Sequence, residues 1–249
     1  MAVGPQLASA LWQSGNLACE HSDRSGRNSK GCACCVGSLG RTRVFGDVLP
    51  HPPMVYDYNG FPPETYRVVY PAPGAPELAE RTAGLIRAAG LPARLDETRG
   101  FDHGAFVPVF IMYPEADVPV FEVSLQARYE PAAHFALGRA LAPLREEGVL
   151  IVGSGLSYHN LQMFGPDARE PSAAFDAWLN NILGAEPETR TAALIAWEKA
   201  PYARVCHPRE DHLAPVFVAL GAAEEEKATR VYFDEGLFGG VTASSYRFG

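Results

Sequence analysis

From Pro50 onward, apolar positions recur with two different periods, separated by clusters of Pro, Gly and Asp. "PELAERTAGLIRAAG" places its apolar residues at helical spacing, with Pro76 suited to a first turn and Gly90 to a stop, and predicts an amphipathic helix. "HGAFVPVFIMYP" is apolar all round, as a buried helix is. "VPVFEVSL" and "VLIVGSG" are continuous apolar runs, the pattern of strands covered on both faces of a sheet. Between them, "PAAHFALGRALAPLREEG" predicts a longer helix ended by Gly148. Three more helices are expected around 172–184, 188–200 and 210–223, then strands near "TRVYFDE" and "SSYRFG". A short strand is expected around Tyr66 to Tyr70, inside the Pro- and aromatic-rich stretch "PPMVYDYNGFPPETYRVVYPAPGAP". Strands and helices in this order predict an α/β fold: one three-layer domain, a central mixed sheet flanked by helices.

Residues 1–44 differ in character. They are rich in Ser, Gly, Cys and Arg, show almost no aliphatic pattern after Trp12, and place Cys32, Cys34 and Cys35 within four positions. The chain therefore divides into an aberrant segment, 1–44, expected to pack poorly, and an α/β domain, 45–249, whose N-terminal strands are expected to be missing or irregular. Five cysteines bunched towards one end do not make a disulfide framework, and a C-x-C-C run without a second half is a weak zinc motif.

Bulk composition narrows the function. The 249 residues are 47% hydrophobic and 20% charged, which is ordinary for a globular protein. A net charge of −8 with no basic run disfavours nucleic acid and anionic membrane surfaces. No apolar stretch approaches the roughly 20 residues that span a bilayer. A cytoplasmic location is expected, since the N-terminus has neither a basic start nor a clean apolar run.

Four of seven histidines stand where chemistry is plausible. His159, in "GSGLSYHNL", follows the C-terminal end of an apolar strand, the edge where open α/β sheets bind ligands. His103 opens a helix after a turn, with Asp102 as its cap. His207 and His212, in "HPREDHLAPVF", bracket a helix start signalled by Pro208 and Asp211. Imidazole titrates near neutral pH and binds metals, so the set suits either purpose. Taken singly, each is more often a hydrogen-bonded turn residue. His134, mid-helix, His21 and His51 receive no functional reading. "GSG" around Ser154 is no nucleophile elbow and reads as a close backbone approach. Spacing alone gives a site without a reaction.

Longer motifs add a resemblance. "YDYNGFPPETYRVVYPAPG", "GFDHGAFVPVFIMYPEADVPVFEVSL", "GVLIVGSGLSYHNL" and "HPREDHLAPVFVALGAA" together resemble the class III extradiol ring-cleaving dioxygenases, in particular the 4,5-DOPA dioxygenase branch. The resemblance runs from about Pro50 to the C-terminus. It implies a non-haem Fe(II) oxidoreductase, with zinc able to occupy the site in some members, that opens a catechol beside its diol with O2. It implies His212 as a metal ligand, His159 as the acid–base catalyst, and His103 and Asn160 as substrate-pocket residues.

The chain departs from that pattern at its start. Two further metal histidines of the family lie in an early "HG" and a "VSAHW", and neither motif occurs here, so His212 alone remains of three. Read one base later, codons for Asn28 to Arg41 permit Thr-Pro-Lys-Ala-Val-Leu-Val-Val-Ser-Ala-His-Trp-Glu, with the histidine spelled across Ser38 and Leu39. Residues 1 to about 44 are accordingly read as translated out of frame. Three readings stay open: a ring-opening dioxygenase, an inactive member of that family, and a non-enzymatic binding protein reusing the pocket.

Overall fold

The structure is a computed structural model that describes the backbone of residues 16–19, 32–41 and 44–47 and all atoms of 49–249. Among the described residues, eight strands form one mixed sheet: β1 (Asn16–Cys19), β2 (Cys32–Arg41), β3 (Val44–Asp47), β4 (Ala93–Asp96), β5 (Val120–Gln126), β6 (Val149–Ser154), β7 (Ala228–Leu237) and β8 (Val241–Phe248). Their spatial order is β4-β3-β5-β2-β6-β1-β8-β7. The centre is parallel: β2 lies between β5 and β6 and runs with both. β1 is antiparallel to β6, and β7 and β8 close one edge as an antiparallel pair.

The helices are α1 (Pro76–Ala88), α2 (His103–Met112), α3 (Pro131–Glu146), α4 (Arg169–Leu183), α5 (Pro187–Ile195), α6 (Ala203–Cys206) and α7 (Ala214–Ala222). They cover both faces. Period-two alternation along β5 sends Phe121, Val123 and Leu125 into a large cluster with α1, α3, α4 and α7. Val120, on the opposite side, joins Val152 and the Phe106 and Val109 side chains of α2 in a second, smaller cluster. The expected three-layer α/β architecture is therefore observed.

Several local expectations change. The stretch Tyr66–Tyr70 is not a strand: Thr65–Arg67 form a 3-10 turn and the following residues pair with no ladder. The prolines that flank it, Pro63 and Pro71, remove donors that an extended ladder would need, and Tyr56 and Tyr58 instead donate their hydroxyls to the Val68 and Thr65 carbonyls. The helix expected over 188–200 ends at Ile195 and resumes as a 3-10 turn, Trp197–Lys199. The helix expected from 210 starts at Ala214, because residues 208–213 form bends and turns. β4 and the short α6 were not anticipated.

The cysteine-rich stretch, which shows no strand periodicity, occupies a central position as β2. A parallel strand with neighbours on both sides needs backbone pairing more than alternation, and a run of Cys, Ala, Gly and Val offers little steric obstacle. The N-terminal strands expected to be missing are present as β1, β2 and β3, and β2 carries a register shift between Gly37 and Arg41. Whether the side chains of residues 1–44 pack poorly, and what the three cysteines contact, lies outside the described residues.

Between α3 and α7 the backbones approach so closely that a Cβ on Gly138 would lie 2.1 Å from the Val218 carbonyl oxygen, and Phe217 is fully buried there with its ring 5.8 Å from Phe135. Phe217→Ala is expected to lower unfolding stability by about 3–5 kcal/mol. A urea titration checks this as a lower midpoint at unchanged slope.

Candidate active site

Two loops meet just past the C-terminal end of β6. The first, residues 155–160, carries His159; the second, 207–213, follows α6 and carries Asp211 and His212. Backbone hydrogen bonds tie the first to the second and to the end of α6, from Leu156 N–H to the His212 carbonyl (3.1 Å) and from His159 N–H to the Cys206 carbonyl (2.9 Å). Two side chains add to the seam: Asn160 Nδ2 donates to the Val205 carbonyl at 2.9 Å and His207 Nε2 to the Ser157 carbonyl at 3.0 Å. A Cβ on Gly155 would lie 2.2 Å from the His212 carbonyl oxygen, so only glycine permits this approach. The close-backbone reading of "GSG" therefore holds.

The result is a stack of three imidazoles. His159 and His212 lie with ring centroids 3.4 Å apart, and His103 lies 6.1 Å beyond His212. Two charged imidazolium rings at the shorter spacing would repel strongly. Burial and that repulsion push His212 down, against the pull of Asp211. Asp211 Oδ1 lies 3.6 Å from His159 Nδ1 and 3.5 Å from His212 Nδ1. Burial would raise the Asp211 carboxyl, but the two imidazoles carry it well below the usual range.

His103 is anchored from the other side. Asp102 caps α2 through Ala105 N–H and pairs with Arg99 at 2.6 Å, beside the buried Glu122. Burial and the neighbouring Asp102 push the Glu122 carboxyl well up. The His103 ring donates Nδ1–H to Asp57 Oδ1 at 2.6 Å. Burial works against charge on His103, yet the Asp57 contact raises its pKa overall. Tyr58 presents its ring at 6.0 Å from His103, and Phe61 and Tyr66 continue the aromatic wall.

The structure thus brings together His103, His159 and His212. Asn160 is adjacent, but its amide braces the loops: Nδ2 reaches Val205 and Oδ1 accepts from Gln162 N–H. His207 is fully buried beneath the site with Nδ1 unpartnered, and burial pushes it down to about 3. His134 is structural: Nδ1–H donates to the Glu130 carbonyl and Nε2 accepts from Gln126 N–H. Sequence reasoning missed the role of Asp211, taken as a helix-start signal, and missed Asp57 altogether. Direct adjacency to His212 was the available signal for Asp211; Asp57 lies 46 residues from its partner and offered none.

The protein family described as the catalytic LigB subunit of aromatic ring-opening dioxygenase matches residues 44–249. The chain belongs to the LigB family. It is 41% identical over 200 residues to a 4,5-DOPA dioxygenase extradiol of Beta vulgaris, covering 78% of this chain and 73% of that one. A 4,5-DOPA dioxygenase extradiol of Escherichia coli K12 is 32% identical over 203 residues, covering 80% and 74%. Among solved structures, an uncharacterized Escherichia coli K12 protein superposes with TM-score 0.73 at 27% identity, over 88% of this chain and 86% of that one.

LigB-family catalysis is metal-dependent, and the donor set here suits a metal. His159, Asp211 and His212 offer ligand atoms that all lie within 4.8 Å of one another. Imidazole and carboxylate are donors common to many non-haem iron sites, and His212 with Asp211 supplies one of each. His212 Nδ1 is buried and has no hydrogen-bond partner, a state a ligand nitrogen would leave when its metal is absent.

Beneath this LigB-type site, His207 makes stability depend on pH. Its pKa is about 3 in the fold against 6.5 unperturbed, so between those values the unfolded chain binds a proton that the fold refuses. Stability should be full above 6.5 and fall as pH drops towards 3. The loss is on the order of a few kcal/mol. His207→Gln, which keeps a donor for Ser157 but cannot titrate, should flatten thermal unfolding midpoints across that window.

Proposed function

We propose that this LigB-family protein is an extradiol dioxygenase that opens catechols of the DOPA class beside the diol, using Fe(II) and O2. The observation that carries this reading is the contact between His159 and His212 at the C-terminal edge of the parallel strands, with Asp211 between their Nδ1 atoms. Zinc suits the same donors, and a cytoplasmic location accords with the composition.

His212 and Asp211 would hold the metal. When bound, it lowers the pKa of the catechol oxygens and opens a path for reaction with triplet dioxygen. His159 accepts a proton from a phenol hydroxyl and returns it as the ring opens, and the Asp211 carboxylate offsets the positive charge it acquires meanwhile. The stack walls one side of the substrate, and Tyr58, Phe61 and Tyr66 supply aromatic surface for its ring or side chain. The carbon–carbon bond next to the diol breaks and both atoms of O2 enter the product.

The test is anaerobic reconstitution with Fe(II), followed by O2 uptake and a yellow ring-opened product from L-DOPA. His212→Ala is expected to abolish stoichiometric iron. His159→Asn should retain iron while losing about 100-fold or more in turnover. Equal loss of iron in both variants would make His159 a ligand and sink the acid–base assignment.

A second reading, of a family member that binds catechols without opening them, is favoured by one observation. Only His21 and His51 precede His103 in the sequence, and neither stands in the "HG" or "SAHW" motifs of the resemblance. It is joined to the proposal that residues 1–44 are translated out of frame. A chain carrying the restored frame should bind iron about tenfold or more tighter than the present one, since second-shell losses alone cost that much and whole ligands cost more. Coding DNA in which no single-base shift yields "SAHW" would refute the frame proposal.

A further inference from the structure

The stretch "VYDYNGFP" is built around a contact that the reaction as described does not use. Val55 N–H bonds to the Phe101 carbonyl at 2.8 Å and Phe101 N–H to the Pro53 carbonyl at 2.9 Å, tying the stretch to the residues just ahead of His103. A Cβ on Gly100 would lie 1.8 Å from the Pro53 carbonyl oxygen, so this seam too depends on glycine. On either side of Asp57 a tyrosine is pinned, Tyr56 to Val68 at 2.6 Å and Tyr58 to Thr65 at 2.8 Å. The side chain held between them is 14% exposed. Both of its hydrogen bonds among the described residues go to one partner, His103, from Nδ1–H at 2.6 Å and from the backbone N–H at 3.3 Å.

The cap of α2 is already supplied by Asp102. Asp57 is therefore surplus to closing the helix, and its shorter bond goes to the ring. We infer that Asp57 is a positioning residue: by holding Nδ1–H of His103 it makes Nε2 the ring atom that meets the substrate, as the acceptor for a phenolic hydroxyl. No hydrogen bond from another described residue reaches that Nε2. In the neutral ring, a proton on Nδ1 leaves a lone pair on Nε2. When a phenol O–H bond breaks, the proton forms an N–H bond at Nε2, the electron pair stays on the phenolate oxygen, and Asp57 neutralises the imidazolium. With His159 serving one catechol hydroxyl, His103 is placed for the other, across the stacked ring of His212. The inference rests on the ring-opening reading for its substrate but not for its geometry.

The experiment records the 15N chemical shifts of the His103 imidazole in the whole protein and in Asp57→Ala and Asp57→Asn, with 4-nitrocatechol as the ligand. The wild type is expected to show the Nδ1–H tautomer, and Asp57→Ala a shift towards the Nε2–H tautomer. Both variants should bind 4-nitrocatechol about tenfold more weakly, the worth of a charge-assisted hydrogen bond, with less of the bound catechol ionised in its visible spectrum. Asp57→Asn keeps the side chain's volume and guards against a folding defect. An unchanged tautomer in Asp57→Ala overturns the inference whether or not the protein opens catechols. If the tautomer shifts and 4-nitrocatechol binding weakens in the variants as expected while the wild type shows no ring opening, the ring-opening reading fails and the positioning role stands.

Discussion

The seam between the loop after β6 and the loop before α7 governs everything else in the site. Neither loop carries a complete set of chemical groups. One brings His159, the other Asp211 and His212, and their side chains meet only because two backbone segments run within hydrogen-bonding distance. Gly155 is the steric condition for that approach, since any Cβ there would collide with the His212 carbonyl. Buried backbone groups left unpaired are costly. The Leu156 to His212 and His159 to Cys206 bonds therefore both hold the loops together and satisfy the chain at a point where it has left regular structure.

Charge placement follows from that seam. Stacked imidazoles at 3.4 Å cannot both be protonated cheaply, and Asp211 lies against the same pair. Protonation of one ring is eased by the carboxylate and opposed by its neighbour, which is the condition for a group that takes and returns a proton. His207, directly below, is kept neutral by complete burial. The other end of the stack has its own carboxylate in Asp57. One carboxylate thus serves the His159–His212 pair and another serves His103, so an imidazolium formed on any of the three rings has a carboxylate beside it.

Much of the fold was legible because its two periods are clean. The β6 run is apolar nearly throughout and β5 is broken only by the buried Glu122 and Ser124, as suits parallel interior strands covered on both faces. His159 could be placed because it follows such a strand, and Asp102 because an acidic residue ahead of an apolar helix is a cap. What remained hidden depended on contacts distant in sequence. Nothing local marks Asp57 as a partner of His103, and Asp211 looked like a helix start because acidic residues favour that position for reasons unrelated to metals. Tyr66–Tyr70 misled for the opposite reason: its β-formers are engaged in tertiary contacts, Val68 and Tyr70 packing beside α2 without a ladder.

The cysteine-rich strand separates two kinds of specification. A slot between two parallel strands selects for backbone that can extend and pair, and "CACCVGSLG" does so as β2. The same slot says little about which side chain emerges at its end. On the proposal that residues 1–44 are out of frame, a metal histidine would be spelled across Ser38 and Leu39. On that proposal the segment would keep the strand while losing the ligand, because sheet pairing is enforced by hydrogen bonds common to every residue, whereas metal binding needs one particular imidazole. Fold and chemistry fail independently, and for this chain the informative comparison is between iron affinity and global stability when the frame of that strand is changed.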